Sequence, residues 1–403
     1  MQLNAVLSPG EFLKHLDGRP ALVHYLRMAC YLFCCLILLS NVWTISGWNE
    51  SRGVYDDICY LRQAHLFQRF GVGGLDTDIA RDDDHYLSFK LKEIGFSDWN
   101  DPARAPCHSL MEATQKRVMT PPPGTGFSLA LFPAGFQVIP LYLLANVAIF
   151  GFAVFGVSRA RGLALLTLAA FFAYTAIYLM INPTKASYSL APTMMVCALA
   201  GYLTARLFSD ETRPRLLLTI LTGFLVGMSV NFRLPNLLLS SGYCLYFLVA
   251  FLIARSRETF LQGLWFGIAF VAGMAPTLIA QWINAGSPFT TTYGGVDVAP
   301  PEFNADVLMQ YVKDMQFGLF VIACLWTGLI WRFGRWSGAR PVALVVAGNL
   351  ALNLIFFMTH PIFTPYYIIP IDMLSLWTLL FATLGSRGER AANNTALLQP
   401  AKA

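Results

Sequence analysis

Ten apolar stretches, at roughly 23–46, 138–157, 163–181, 188–208, 215–232, 236–254, 260–282, 316–333, 341–358 and 366–384, divide the chain. Each is close to the ~20 residues a helix needs to cross a bilayer. The pattern changes between the first and second. Over 47–126 polar and charged residues return, and two short candidate helices stand out. If Asp57 begins a helix, Tyr60, Ala64 and Phe67 share one face while Arg62, His65, Gln68 and Arg69 share the other, and Gly71 stops it. That spacing predicts an amphipathic helix lying flat at a bilayer surface, its Arg side chains reaching phosphate headgroups. A second helix is expected from His85 to Ile94, ended by Gly95. The Pro121-Pro122-Pro123-Gly124 turn then leads back to the membrane, and Gly124 to Pro140, apolar but broken by Gly and Pro, reads as a partial re-entrant segment. Residues 283–315 form a second long connection, and the polar tail from Ser386 is expected to be disordered. The fold class is therefore all-α: a polytopic transmembrane bundle over 1–385, its loops at 47–126 and 283–315, with a tail at 386–403.

Composition agrees with a chain whose solvent is lipid. Apolar residues are 56% and charged residues 13%, about half the charged share of a soluble domain. Mean hydropathy is +0.53 and pI about 8.7. The +5 balance is spread over loops and makes no concentrated basic patch, which argues against a nucleic-acid partner. With the N-terminus inside, the inner loops collect Arg27, Arg159, Arg161, Arg206, Arg255, Arg332 and Arg387, while the short outer loops hold little beyond Lys185 and Arg233. The positive-inside rule then places both termini in the cytoplasm and both long loops outside. No cleavable signal pattern precedes the first apolar stretch.

Chemistry concentrates in the outer loop after the first span. Asp56 and Asp57 are adjacent carboxylates at a membrane exit, where ionisable groups are costly and tend to be functional. Position alone leaves two readings: an active-site acid presented by an interfacial helix, or helix-start acids that favour the macrodipole. Cys59 and Cys107 lie outside, where oxidation permits a disulfide. Asp82-Asp83-Asp84-His85 has the donor atoms for a hard cation, but charge runs of this kind are usually solvated, and no metal is expected. Ser128 after Gly124-x-Gly126 fits neither a Walker loop nor a nucleophile elbow, no Cys/His zinc spacing occurs, and no cofactor is expected.

Five segments in order resemble the glycosyltransferase C superfamily, whose members include protein O-mannosyltransferases and lipid A aminoarabinose transferases. Asp56-Asp57-x-x-Tyr60-x-x-x-Ala64 is similar to its D-[DE]-x-x-Y-x-x-x-A signature, and Pro122-Pro123-Gly124 to its Pro-Pro turn. Gly223 to Arg233 (GFLVGMSVNFR) resembles its Gly-rich span ending in a basic residue, Gly286-Ser287-Pro288-Phe289 its G-x-P-F loop, and Tyr366-Tyr367-Ile368-Ile369-Pro370 its late R-Y-x-x-P segment. The chain departs from the family at Asp57, often Glu there, and at Met119 and Thr120, where aminoarabinose transferases have a Lys before the turn. The late Arg is also absent; His360 is the nearest basic group.

The resemblance implies an inverting transfer of a sugar from a polyprenyl-phosphate donor to a cell-envelope acceptor on the outer face of the cytoplasmic membrane. Such a reaction needs a carboxylate to take the acceptor's proton and cations to neutralise the departing phosphate. The resemblance points to Asp56 as base, with Asp57 as its partner or as the base itself. For donor phosphate and lipid it points to Arg233, Lys185, Arg62, Tyr366, Tyr367 and His360, though lone basic residues there also snorkel and tyrosines form interfacial belts. Two rivals stay open: a secondary transporter, and a non-catalytic polyprenyl-lipid-binding protein.

Overall fold

The computed structural model describes residues 20–49, 55–179, 187–209, 215–293, 301–360 and 363–397. Among them are fourteen α-helices and a single two-stranded sheet. The bundle consists of α1 (Pro20–Ser46), α5 (Val138–Arg159), α6 (Leu163–Leu179), α7 (Leu190–Ser209), α8 (Arg215–Val230), α9 (Ser241–Ala254), α10 (Arg257–Ala285), α12 (Phe317–Phe333), α13 (Ala339–Thr359) and α14 (Ile368–Leu397). Seven stretches are long and apolar enough to cross a membrane; α6 and α8 are shorter, and α12 follows a helix bent 87° away from it. This is a polytopic all-α membrane protein. The axis of the bundle is α14: of its membrane-length stretch 89% is buried, against 6% for α1 at the rim. Gly201 on α7 lets that axis approach, since a methyl there would meet the Trp377 side chain at 2.7 Å.

Helix pairs without a water-driven hydrophobic force pack by backbone proximity and interhelical hydrogen bonds. Both devices occur. On α8 and α10, methyls at Gly223, Gly227 and Gly273 would overlap the backbone carbonyls of Phe266, Phe270 and Phe224. Near the rim, the buried Asn41 amide donates to Asn146 at 2.9 Å and to the Ile177 carbonyl at 3.0 Å, joining α1 to α5 and α6.

A compact lobe caps one end, made of α2 (Tyr55–Phe70), α3 (Tyr86–Glu93), strands β1 (His108–Met111) and β2 (Lys116–Met119), and α4 (Gly124–Ala130). Gly71 and Gly95, both at positive φ, follow the ends of α2 and α3 as expected. The antiparallel hairpin pairs His108 with Met119 and Met111 with Lys116, and buries Met111 and Val118 against Ala285 at the end of α10. It was not expected, because two four-residue strands carry too little alternation to announce themselves. The same end holds α11 (Ala305–Lys313), an amphipathic helix inside the second long loop with Val307 and Tyr311 buried.

Three expectations need correction. Helix α2 does not lie flat on a bilayer, because residues from Asp57 to Ala64 are buried on every face. Gly124–Ala130 is a short helix clamped to α2 rather than a free-standing re-entrant segment: a methyl at Gly126 would strike Gln63 at 2.6 Å, and Gln68 donates to the carbonyls of Ala130 and Phe132. Helix α14 continues through the polar tail to Leu397, where residues such as Glu389, Arg390, Ala391 and Ala392 favour helix.

Candidate active site

Helix α2 is fixed at three successive points. Asp57, 1% exposed, accepts a 2.9 Å bond from the Tyr188 amide, two residues before α7. Cys59 is disulfide-bonded to Cys107, with Cα atoms 6.7 Å apart, which ties the helix to the start of the hairpin. Arg62, fully buried, donates to the carbonyls of Thr77 (3.0 Å) and Asp78 (3.0 Å) and to His108 Nε2 (2.8 Å), with Asp82 at 3.7 Å. Burial and the neighbouring Arg62 charge push His108 down to about 3, while its Nδ1–H donates to the Pro106 carbonyl at 2.7 Å. That imidazole therefore stays neutral and serves as an acceptor. Arg62, expected among the phosphate candidates, is a strut inside the lobe; its two terminal nitrogens are engaged by protein carbonyls and His108.

Beside these anchors Asp56 is exposed in the first turn of α2, close enough to Tyr60 for its charge to be felt there. Arg233 reaches the same place from a different element. Helix α8 ends at Val230, and the chain turns through Asn231, Phe232 and Arg233 into a 3-10 turn at Leu234–Ser240 that opens with Pro235. Asn231 governs that turn. Its amide oxygen accepts from Thr277 N (3.0 Å) and its nitrogen donates to Gly273 O (2.8 Å), two groups that would pair with each other in an unbroken helix. Pro276 sits inside α10 between them, and a proline loosens the turn in which it lies. The Asn231 carbonyl in turn accepts from Gly124 N, and Thr125 donates to the Phe232 carbonyl. A methyl at Gly124 would overlap Asn231, so the Pro-Pro-Pro-Gly turn needs glycine there by contact. Through this docking α2, α4 and the Arg233 turn form one block.

The third contribution comes from the turn before α14. The Arg233 guanidinium lies against both the Tyr366 and Tyr367 rings, at 4.6 and 4.8 Å from the centroids, and Arg233 donates to the Tyr366 carbonyl at 3.3 Å. Arg233 is only 7% exposed. Cation–π contact of this kind strengthens as water is removed. Tyr311 on α11 braces the turn by accepting from Thr364 N and packing on Phe363. His360 stacks on Phe356 and lies 5.8 Å from the Tyr367 ring.

Opposite charges therefore meet around a group of phenols. Burial pushes Tyr60 up to about 12; the Arg233 charge, with hydrogen bonds from Ser189 and Ser187, opposes that rise, and Asp56 adds to it. Burial likewise raises Tyr293 and Tyr366, and on both of these Arg233 lowers and Asp56 raises. All three phenols remain neutral hydrogen-bonding groups. Beside them is a small polar cavity of about 10 Å³, bordered by Gln63, Thr120, Gln281 and Tyr293, room for about one water.

Of the residues singled out from sequence, Asp56, Arg233, Tyr366, Tyr367 and His360 come together. Asp57 adjoins them but is turned to the start of α7. Lys185 lies outside the described residues. The acidic run is engaged elsewhere: Asp83 pairs with both terminal nitrogens of Arg69 (2.7 and 3.2 Å), and Asp84 with His65 at 2.6 Å. The sulfurs of Cys59 and Cys107 lie near His108 but are joined to each other, so they offer no thiolate pair. Sequence reasoning missed Tyr60 and Tyr293 as site residues. Tyr60 sits inside the signature itself but was assigned to an apolar face, whereas Tyr293 had no sequence signal at all. In comparisons with known proteins, no family model, curated protein or solved structure matches the chain.

Proposed function

We propose that the protein is an inverting glycosyltransferase of the cytoplasmic membrane that moves a sugar from a polyprenyl-phosphate donor to a cell-envelope acceptor. In this reading it spans ten times, with α6, α8 and α12 crossing as short helices, both termini cytoplasmic and the lobe outside. The observation that carries it is that Asp56 and the ring-held Arg233 act with opposite sign on the same buried phenols, Tyr60, Tyr293 and Tyr366, at one end of an apolar bundle. Asp56 takes the proton of the acceptor hydroxyl as its oxygen attacks the anomeric carbon. The bond from that carbon to the phosphate oxygen breaks on the opposite face, so the configuration inverts. The polyprenyl phosphate leaves with its negative charge set against Arg233, a preorganised cation that needs no rearrangement as charge develops. Asp57 positions its neighbour by tying α2 to the start of α7. The test supplies purified protein with a polyprenyl-phosphate sugar and envelope extract; transfer by wild type and its loss in Asp56→Asn is the expected result, and retention in that variant would remove Asp56 as base.

One observation favours the transporter rival. Asp372 on α14 is fully buried, and neither carboxylate oxygen has a hydrogen-bond partner among the described residues. Intramembrane acids of this kind mark ion pathways in transporters. Abolished sugar transfer in Asp56→Asn alongside normal transfer in Asp372→Asn would favour the enzyme.

A further inference from the structure

The opposite end of the bundle holds a second concentration of charge, independent of the sugar-transfer reading. Asp56 follows the last turn of α1, and Tyr188 and Tyr366 precede α7 and α14. Arg27 near the start of α1, Arg159 in the last turn of α5, Arg161 just beyond it, and Arg206 in the last turn of α7 therefore gather at the far end. They line one cavity of about 540 Å³, together with Ser209 and Gly385. No carboxylate is among its lining residues that the structure describes.

Two ordinary explanations account for part of this. Arginines at the C-terminal ends of α5 and α7 complement the partial negative charge of those helix ends, and inner-loop arginines anchor a membrane protein. Neither requires four guanidiniums to border one concavity, where like charges raise each other's energy. Anchoring arginines spread around a perimeter; these converge. Two buried polar atoms add an independent sign. Ser209, 8% exposed, lines the cavity, and its hydroxyl finds no partner among the described residues. Arg27 donates one terminal nitrogen to the Ala160 carbonyl at 2.8 Å, which orients it, while its buried Nε also finds none. Unsatisfied buried donors beside a polar cavity await an acceptor.

We propose that this cavity binds a phosphate group, carried by an anionic lipid headgroup or by a soluble phosphate. Phosphate oxygens suit guanidinium forks, which pair with them through parallel N–H bonds. A basic recess between membrane helices is the usual form of a headgroup site. The Phe155 and Phe381 side chains that share the lining leave apolar surface on which a lipid's first methylenes can rest.

The experiment uses the full chain in a neutral detergent, with binding read by thermal unfolding and native mass spectrometry. Probes are dioctanoyl phosphatidylglycerol, dioctanoyl phosphatidylcholine and inorganic phosphate. Phosphatidylglycerol should bind and raise the unfolding temperature, and phosphatidylcholine should not. Arg27→Gln and Arg206→Gln should each weaken the phosphatidylglycerol effect about tenfold, as expected for one charge-assisted bond. Arg332→Gln, at the same end but outside the cavity, should leave it unchanged. A response to inorganic phosphate equal to that of the lipid assigns a soluble anion; a response to the lipid alone assigns a headgroup. Should the arginine variants fail to fold, Gly385→Leu keeps every charge and builds into the recess next to Ser209, where an added Cβ meets only ordinary contact. Binding should fall in that variant too. Equal lipid responses in wild type and Gly385→Leu, or no response to either phosphate probe, would overturn the proposal.

Discussion

The two ends of the bundle use arginine in opposite ways. At the capped end the Arg233 guanidinium is 7% exposed, gripped by two rings and a carbonyl, and shares its surroundings with a carboxylate. At the far end Arg159 and Arg161 are exposed, and four guanidiniums border a cavity with no acidic residue among its described lining. A cation meant to stabilise charge that appears only during a reaction is most effective when already fixed. A cation meant to gather a pre-existing anion needs instead a recess that several guanidiniums border together. The far-end arginines are held as well, Arg27 by the Ala160 carbonyl and Arg206 by Tyr202, so burial beside a carboxylate separates the two ends more sharply than the presence of arginine does.

The largest test of that contrast is Asp56→Asn. It should reduce sugar transfer about a hundred- to ten-thousandfold while leaving phosphatidylglycerol binding at the far end untouched. Loss of both in folded protein would mean that the ends are not separable. Next comes Arg62→Ala, which removes the strut of the lobe and leaves Asp82 and two carbonyls without their buried cation. Breaking a buried pair from one side costs about 3–5 kcal/mol, visible as a lower unfolding temperature. Replacing an exposed arginine at the far end, Arg161→Ala, should shift that temperature by far less.

Arg233→Lys and Arg233→Ala divide charge from shape. Both should raise the donor concentration for half-maximal transfer, Ala more than Lys, because Lys keeps the charge and loses the planar fork. Unchanged donor saturation in both would reduce Arg233 to a residue that merely reaches for water. The last test is a pH dependence. His108 titrates near 6.5 in the unfolded chain and is pushed to about 3 in the folded one. The unfolded state therefore binds the extra proton between those values, so stability should fall as pH drops through that window, by at most about 1.4 kcal/mol per pH unit. His108→Gln should flatten that slope in a melting series from pH 7 to pH 4.

Much of the bundle was legible, because lipid forces helices to satisfy their own backbone groups and leaves long apolar runs in the sequence. The capped lobe was less so. Arg62 looked like a residue on a wet helical face, and nothing local revealed that the loop at Thr77 and Asp78 would cover it. Arg233 and the tyrosine pair were found through their order along the chain, yet their stacking depends on residues separated by 133 positions. Tyr293 belongs to a loop with no periodicity, and the hairpin to strands of four residues. Local pattern finds elements that stand alone in a uniform solvent; it misses those whose partners arrive from far along the chain.

The contact between α8 and α10 has a consequence for how this protein tolerates change. Gly223, Gly227 and Gly273 take part in no chemistry, yet any larger residue drives one helix backbone into the other. In a saturation scan these positions should be as intolerant as Asp56. The two kinds of loss should still differ: substitutions at Asp56 should give abundant, inert protein, and those at the glycines should remove the protein from the membrane fraction.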